Sequence, residues 1–395
     1  MVVVSKQLFE EVCGDVPCSL LLHPWNESCW KSAPPLYLAS AIGSARFYSM
    51  IYLAQILMRG KNMLKKDEWL KMGNYYLRST ALGLLVTASA PNISCFIRKI
   101  IGDKFTYVTY LIVPFSVNGL LIYLEPPSRR GLVINLFCNL LIEYYLSILK
   151  RAGYVSITTS QQTLTFMLGS ALLFYLMRLE GDKKERTPLF WLFTPEKVRR
   201  KSDGSTNICP HEGPCEKYIA KGCLSYFGIG LGISLARLIL PKLGSPIKAI
   251  SSIRGKHLKL GLFFGSYIGI YRAVICYLCR KQGFDSALYA LPAGYIAGIS
   301  FLFNPNLGLA IASITAAFKL YSTILYKKKI LPSSIPLPEL LFCFCQGTLI
   351  NARIMDPEAC PSYVFNLMRT ISQGRSEWIF DNFTEIINKS IASAN

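Results

Sequence analysis

The stretch LKLGLFFGSYIGIYRAVICYLC, residues 258–279, decides the fold class of this chain. It is almost entirely apolar, and a helix needs about 20 such residues to cross the hydrocarbon core of a bilayer. Gly261, Gly265 and Gly269 recur at every fourth residue, so they form one stripe without side chains along the helix. Such stripes let two helix backbones approach closely in lipid. The segment therefore predicts a membrane helix that packs tightly against a neighbour.

The composition of the whole chain also indicates a membrane protein. Of 395 residues, 52% are apolar and only 17% are charged, whereas soluble domains carry about 25% charged residues. The chain is too apolar for disorder and has too little polar surface for soluble domains. Its net charge of +20 is spread over the joints between apolar segments. Because this charge forms no single patch, we do not expect nucleic acid to be a partner.

Apolar segments recur along the chain, and short basic joints separate many of them. They predict an all-α, polytopic helix bundle with nine or ten spans. Basic residues lie on both sides of successive segments, so the orientation does not follow from them. The candidate segments are residues 34–58, 79–97, 105–124, 131–149, 163–177, 222–240, 258–279, 286–303, 307–326 and 337–354.

A polar, basic stretch interrupts this series and divides the chain. We predict a cysteine-containing N-terminal segment at 1–33, followed by a first membrane half at 34–177. A basic linker with Cys and His residues follows at 178–221. A second membrane half at 222–354 and a C-terminal tail at 355–395 complete the predicted organisation.

Two further glycine pairs repeat the four-residue spacing in neighbouring segments. Gly228 and Gly232 lie in the first segment of the second half, and Gly294 and Gly298 lie in the segment at 286–303. Glycine is frequent in membrane helices in general, which is the simpler explanation. Three stripes in neighbouring segments favour glycine-zipper packing of the bundle instead.

Several ionisable residues lie inside apolar segments, where each costs at least about 2.5 kcal/mol if it faces lipid. Such groups usually face a bundle interior, so a pair of Glu143 with Arg46 or Arg272 is one interpretation. The alternative is that the cationic side chains extend to the membrane interface. The residues are Arg46, Glu143, Arg237, Arg272 and Lys319.

Cysteine and histidine cluster in two places outside the apolar segments. Each cluster offers four ligands, which is enough for tetrahedral zinc, although the spacings match no standard zinc finger. A redox-labile disulfide and incidental thiols are the alternatives. The thirteen cysteines are an odd number, so they cannot all pair within the chain. The clusters are Cys13, Cys18, His23 and Cys29 near the N-terminus, and Cys209, His211, Cys215 and Cys223 in the linker. We read the cysteines inside apolar segments, Cys95 and Cys276 among them, as small buried hydrophobic residues.

Catalytic motifs are missing from the sequence. Its three histidines do not lie beside a Ser or Cys in a nucleophile motif. The phosphate-binding loop, the dinucleotide-binding glycine motif and the H-E-x-x-H zinc motif are also missing. We therefore expect a protein that is not an enzyme.

Several stretches are informative in their order along the chain: HPWNESCW (23–30), EPPSRRGLVINLFCNLLIEYYL (125–146), the cluster at 209–223, HLKLGLFFGSYIGIYRAVICYLCR (257–280), LYALPAGYIAGISFLF (288–303) and PSY (361–363). Together they resemble the transmembrane protein 135 family, also called peroxisomal membrane protein 52. The second half also resembles the Tim17/Tim22/Tim23 superfamily, whose glycine-zipper helices match the stripes described above. The matching positions of the family's cysteine-rich motif are His23, Pro24, Cys29, Cys209, His211, Cys215 and Cys223.

The resemblance implies a multi-pass protein of peroxisomal and mitochondrial membranes. Members of the family are tied to mitochondrial fission, peroxisome organisation, and fatty-acid and cholesterol metabolism. No catalytic residue is implied. Membrane lipids, fission machinery and other organelle membrane proteins are the partners that we expect, and an oligomer is compatible with the sequence.

Two mechanisms remain open for such a protein. A scaffold would present the basic linker residues to a partner or to anionic lipid, although ordinary solvated loop charge explains them equally well. A conduit would pass a lipid, an acyl compound or a polypeptide, and it would need the polar interior around Glu143. The linker residues are Lys183, Lys184, Arg186, Arg199, Arg200 and Lys201.

Overall fold

The computed structural model describes residues 3–59, 65–179, 208–239, 254–332 and 335–394. Within these ranges all regular structure is helical, as the composition predicts, and no strand occurs. The α-helices are α1 (Lys6–Cys13), α2 (Cys18–Leu21), α3 (Cys29–Arg59), α4 (Lys66–Ile100), α5 (Val113–Asn118), α6 (Pro127–Arg151), α7 (Thr159–Leu179), α8 (Cys215–Ile239), α9 (Lys259–Gln282), α10 (Ala290–Ala297), α11 (Leu307–Lys327), α12 (Leu337–Met355), α13 (Ser362–Ile371) and α14 (Arg375–Ala394).

Six of the described helices contain stretches that are long and apolar enough to cross a membrane. They are α4, α6, α7, α8, α9 and α11, and each coincides with a segment predicted from the sequence. Two shorter apolar stretches, Val108–Leu124 and Ala287–Phe303, match two further predicted segments. Both are broken into short helical pieces: the first combines a π-helical turn at Val108–Ile112, α5 and a 3₁₀ turn at Gly119–Leu124, and the second combines α10 with 3₁₀ turns before and after it.

The chain divides into two compact units. Unit 1 comprises residues 1–152 and 335–395, and unit 2 comprises residues 153–334. These units do not coincide with the two consecutive membrane halves predicted from the sequence. Helix α12 packs on α5 and α6, so the C-terminal region belongs to unit 1. Helix α7 packs on α10 and α11, which places it in unit 2.

Unit 1 is built around a cluster of aromatic side chains. Phe9 on α1 stacks 6.2 Å from Phe383 on α14, measured between ring centroids, and Tyr110 lies 5.3 Å from Phe9. The hydroxyl of Tyr110 donates a hydrogen bond of 2.8 Å to the carbonyl of Leu21 at the end of α2. The short N-terminal helices are therefore fixed to the rest of unit 1 by buried aromatic contacts, which are large contributors to packing energy.

Unit 2 has a second aromatic core between α7, α9 and the turn after α10. Phe166 on α7 stacks 4.6 Å from Phe301, and Phe174 lies 4.2 Å from Tyr271 on α9. Gly283 adopts a left-handed conformation with φ of 75° and ends α9, which is the usual role of glycine after a helix. The predicted basic linker residues Lys183, Lys184, Arg186, Arg199, Arg200 and Lys201 lie outside the described residues.

Candidate metal centres

The first group of potential metal ligands lies in unit 1 and is called the N-terminal centre. It consists of Cys18, His23, Cys29 and Cys95, whose ligand atoms all lie within 4.8 Å of one another. Cys18 is the first residue of α2 and Cys29 is the first residue of α3. His23 lies on the loop between these helices, and Cys95 lies on α4. A short N-terminal segment and a candidate membrane helix thus share one centre.

Hydrogen bonds shape the loop that carries His23. The side-chain carbonyl of Asn26 accepts a 2.9 Å hydrogen bond from the Ser28 amide, which is a typical Asx turn. The indole of Trp25 donates to the carbonyl of Ser32 at 3.1 Å, and this fixes the loop on the first turn of α3. The turn therefore brings His23 and Cys29 to the same side of the segment.

The imidazole of His23 has the orientation that a metal ligand requires. Its Nδ1 lies 2.7 Å from the carbonyl oxygen of Asn26. A carbonyl can only accept, so Nδ1 carries a proton and donates it, and Nε2 is the ring nitrogen left for a metal ion. His23 is only 2% exposed, and Nε2 has no hydrogen-bond partner in the described part of the chain. Metal-bound histidines commonly donate their second ring nitrogen to a carbonyl in this way.

The second group of potential ligands lies in unit 2 and is called the central centre. It consists of Cys209, His211, Cys215 and Cys276, all of them buried. Cys215 is the first residue of α8, and Cys276 lies on α9. Nδ1 of His211 lies 3.4 Å from the Glu212 carbonyl oxygen, and Nε2 faces the Cys276 thiol at 3.3 Å. The orientation of the imidazole is the same as in the N-terminal centre.

The distances within both centres fit a tetrahedral ion. Zinc binds sulfur at about 2.3 Å, so two sulfur ligands of a tetrahedral site lie about 3.8 Å apart. The Sγ atoms of Cys209 and Cys215 are 3.7 Å apart, and those of Cys18 and Cys29 are 3.3 Å apart. Three cysteines and one histidine form a common ligand set of structural zinc. Both groups could therefore hold a metal such as zinc.

The electrostatics of the thiols differ within each centre. Contacts with the Cys95 thiol and with His23 lower the pKa of Cys18 well below its usual range. Burial raises the pKa of Cys29. Burial, followed by contact with Cys215, raises the pKa of Cys209. The thiols of Cys18 and Cys29 in the N-terminal centre therefore differ in acidity.

Two predicted ligands do not belong to these centres. Cys13 ends α1 and is fully buried in the aromatic core of unit 1. Cys223 lies two turns beyond Cys215 on α8, where it packs opposite Gly269 of α9. The structure places Cys95 and Cys276 at the two centres, although their sequence surroundings suggest only buried hydrophobic residues. One clue to them was available in the sequence. Each local trio supplies only three of the four ligands that a tetrahedral zinc ion needs, so the fourth has to come from elsewhere in the chain.

The glycine stripe on α9 faces α8. A Cβ atom at Gly261 would lie 3.1 Å from the ring of Phe227. A Cβ atom at Gly265 would lie 3.0 Å from the carbonyl oxygen of Cys223, and one at Gly269 would lie 3.4 Å from the Cys223 Cβ. The missing side chains thus give the room in which these two helices meet.

Gly294 and Gly298 face α7 instead. A Cβ atom at Gly294 would lie 2.8 Å from the carbonyl oxygen of Ser170. At Gly298 it would lie 2.6 Å from the Cα of Met167. Real Cβ atoms do not approach backbone this closely, so both positions require glycine.

The predicted stripe on α8 does not face any of the described helices. At Gly228 and Gly232 an added Cβ would meet no atom within 4 Å in the described structure. Gly230 lies between them, and its Cβ would come within 2.6 Å of the Leu260 carbonyl oxygen. The opposite face of α8 therefore makes the close contact, because residues two apart point in different directions on a helix.

The predicted intramembrane ionisable residues do not form one cluster. Arg46 is exposed on α3, and Glu143 on α6 makes no ion pair among the described residues. Arg272 belongs to unit 2, where its Nη1 donates to the Tyr218 carbonyl at 2.9 Å. Lys319 is half-buried on α11, and Arg237 is in α8 with a side chain that lies outside the described part of the chain. The predicted pair of Glu143 with Arg46 is not formed.

The deeply buried charges are elsewhere and were missed by the sequence analysis. Arg178 at the end of α7 and Asp285 after α9 form an ion pair of 2.5 Å with side chains only 0% and 3% exposed. Arg353 on α12 pairs with Glu377 at 3.0 Å and is itself 1% exposed. Neither pair can be inferred from spacing, because its two members are far apart in sequence and lie in different structural elements.

Comparison with known proteins gives no further assignment. No model of a known protein family matches the chain, and no solved structure matches it either.

Proposed function

We propose that this chain is a non-enzymatic, multi-pass membrane scaffold in which two structural zinc ions each fasten an extramembrane segment to a membrane helix. The observation that carries the proposal is the pair of Cys3His centres. In each centre a local trio of ligands is completed by one cysteine from a long apolar helix, Cys95 on α4 or Cys276 on α9. Two centres with the same ligand set and the same histidine orientation are best explained by one metal chemistry.

The role of zinc here is to hold the fold together. Each centre has four protein ligands, which fill a tetrahedral zinc ion and leave no open position for a substrate. Because the trio and the fourth cysteine are far apart in sequence, zinc binding contributes folding energy to contacts that span the unit. This favours a structural role over a catalytic one.

Zinc content is the direct test. The full-length protein, purified in detergent without chelators, is expected to contain two zinc ions per chain by elemental mass spectrometry. Cys95→Ala and Cys276→Ala should each lower the content to one. Cys13→Ala and Cys223→Ala are matched controls from the same regions and should keep two. A wild-type content below about 0.2 zinc per chain would refute the proposal.

The membrane topology belongs to the same proposal. Six described helices satisfy the length and apolarity of a span. The two shorter apolar stretches, together with α3 and α12, raise the number to the proposed nine or ten. Close packing at the glycines of α9 and α10 supports a glycine-zipper arrangement in unit 2. Accessibility labelling of single cysteines introduced into each joint would give the number of spans.

The cellular role that we propose rests on the family resemblance. The scaffold would act in peroxisomal and mitochondrial membranes, where it would regulate mitochondrial fission, peroxisome organisation and lipid metabolism. The test is expression in cells with fluorescent peroxisomes and mitochondria. Wild-type protein should co-localise with these membranes and change mitochondrial length. A variant with neutralised linker charges should localise normally without that change, and unaltered mitochondria with both proteins would contradict the role.

A conduit for lipids or acyl compounds is the second candidate, and one observation favours it. Unit 1 contains an apolar cavity of about 100 Å³ lined by residues that include Leu82, Val86, Phe115, Phe137 and Phe342. Flux of acyl compounds and sterols through reconstituted liposomes, compared with Glu143→Gln, separates the two candidates. A scaffold should show no flux with either the wild type or the variant, whereas a conduit should show flux with the wild type and lose it in the variant.

A further inference from the structure

We infer that the N-terminal centre is a peroxide-sensitive modification site, at which hydrogen peroxide joins Cys18 and Cys29 in a disulfide and releases zinc, while the central centre keeps its ion. The inference rests on the proposed zinc binding. It assigns different chemistry to two centres that have the same ligands.

The first observation is a difference in exposure. Cys18, Cys29 and Cys95 are all partly exposed, and only His23 is buried in that centre. In the central centre all four ligands are buried. Oxidation of a metal-bound thiolate needs contact with the oxidant, so it follows exposure. Peroxide can therefore reach the N-terminal sulfur atoms first.

The central centre is also covered by aromatic and cationic groups. The imidazole of His211 stacks at 4.0 Å on Tyr218, and the guanidinium carbon of Arg272 lies 4.1 Å from the same Tyr218 ring. Arg272 is further held by its hydrogen bond to the Tyr218 carbonyl. At the N-terminal centre, Arg375 and Trp378 contact the loop residue Trp25 at 5.3 Å and 6.4 Å, but among the described contacts no ring stacks on the imidazole of His23.

The second observation is the geometry of one cysteine pair. The Sγ atoms of Cys18 and Cys29 lie 3.3 Å apart, so a disulfide of about 2.05 Å requires them to approach by little more than about 1 Å. Both cysteines begin helices that flank the loop 22–28, whose turn can absorb this movement. Cys95 lies within the long helix α4, so its backbone has less freedom to move.

The chemistry balances with hydrogen peroxide as the oxidant. One of the two thiolates of Cys18 and Cys29 attacks the O–O bond, becomes a sulfenic acid and releases hydroxide, which takes a proton from solvent to form water. The other thiolate then attacks this sulfur and displaces a second hydroxide, which is also protonated. Two sulfur atoms lose one electron each, one peroxide gains two, and the sum is one disulfide, two water molecules and one zinc ion. With two of its ligands lost, the ion leaves the centre.

The experiment follows zinc release from the full-length protein in detergent. Zinc per chain is measured first, and release is then recorded with a chromogenic chelator after addition of hydrogen peroxide. We expect one of two ions to leave at least about tenfold faster than the other. Peptide mass spectrometry without reduction should find a Cys18–Cys29 disulfide at that stage, and a thiol reductant with added zinc should restore two ions per chain.

Single-centre variants assign the two phases. Cys276→Ala retains the N-terminal centre and should release its ion rapidly, whereas Cys95→Ala retains the central centre and should release its ion slowly. Equal rates, faster release from the central centre, or rapid release without the Cys18–Cys29 disulfide would each overturn the inference while leaving zinc binding intact. A zinc-free wild-type protein would refute the proposed function, and the inference would fall with it.

Discussion

The imidazole of His211 lies 4.0 Å from the ring of Tyr218, and the two planes are only 12° apart. Tyr218 comes one helical turn after the ligand Cys215 on α8. Arg272 in turn comes one turn before the ligand Cys276 on α9 and stacks on Tyr218. Each of the two helices thus supplies one ligand of the central centre and one group that covers it. The packing of α8 on α9 therefore also brings the ligands of the central centre together.

Removal of this cover should loosen the zinc of the central centre. Tyr218→Ala takes away the surface against which His211 is held, and loss of an outer group typically weakens metal binding by at least about tenfold. We expect faster transfer of one zinc ion to a competing chelator, with the other ion unchanged.

The matched control for this variant is Tyr277→Ala, on α9 next to Cys276. Tyr277 is 62% exposed, so its removal should leave both transfer rates as in the wild type. Equal rates for Tyr218→Ala and the wild type would mean that the stack does not support the centre.

The buried ion pair between Arg178 and Asp285 gives a prediction about stability. Asp285→Asn leaves the Arg178 cation without its counter-charge in a site from which water is excluded, which typically costs about 3–5 kcal/mol. A strongly lowered melting temperature in detergent is expected. A double variant, Arg178→Met with Asp285→Leu, should recover most of the loss, because replacement of both charges by apolar groups is often neutral.

An exposed pair on α14 serves as the control for that comparison. Glu385 and Lys389 are 2.6 Å apart with side chains 61% and 75% exposed. Pairs of this kind contribute little, so Glu385→Gln should not change the melting temperature measurably. If Asp285→Asn behaves like Glu385→Gln, the buried pair does not stabilise unit 2.

The helical class of the fold and three of the four ligands of each metal centre can be predicted from the sequence. Apolar segments of span length give the helices, because length and hydrophobicity act locally. The trios Cys18–His23–Cys29 and Cys209–His211–Cys215 lie close together in sequence, so their clustering is also a local property. The fourth ligands are not, since Cys95 and Cys276 come more than 60 residues after the trios that they complete.

The errors at single positions have a common physical origin. Cys13 and Cys223 are near the trios in sequence, but Cys13 lies in the aromatic core of unit 1, and Cys223 lies two turns further along α8 than Cys215, opposite Gly269. Similarly, Gly228, Gly230 and Gly232 place glycine on two different faces of α8, and their spacing alone does not show which of these faces packs on α9. Only the tertiary packing decides between them.

Glu125 makes stability depend on pH in a defined direction. It is 2% exposed, and burial raises its pKa although Ser79 donates a hydrogen bond to it and Arg78 lies nearby. A raised pKa means that the folded state holds the proton more tightly than the unfolded state. Stability is therefore greatest below the ordinary carboxyl pKa of 4.5 and falls as the pH rises through the higher folded value.

The variant Glu125→Gln removes this dependence. Its amide needs no ionisation and can still accept from Ser79, so it should melt at a higher temperature than the wild type at pH 7.5. The difference should shrink towards pH 5, as measured by thermal unfolding in detergent. Glu10→Gln, on the exposed side of α1, should follow the wild type throughout. A Glu125→Gln advantage that is constant with pH would contradict the assignment to this carboxyl.

The face of α8 that meets α9 can be tested with one methyl group at alternate positions. At Gly230 a Cβ would lie 2.6 Å from the carbonyl oxygen of Leu260, which is backbone and cannot rotate away. Gly230→Ala must therefore push the helices apart, and we expect a clear loss of thermal stability and slower zinc reconstitution at the central centre.

At Gly228 and Gly232 the same methyl group meets open space in the described structure. Alanine is a better helix former than glycine by about 1 kcal/mol, so these two variants should be neutral or slightly stabilised. The reverse ranking would restore the Gly228–Gly232 stripe as the packing face and would place α8 in a different rotation about its axis.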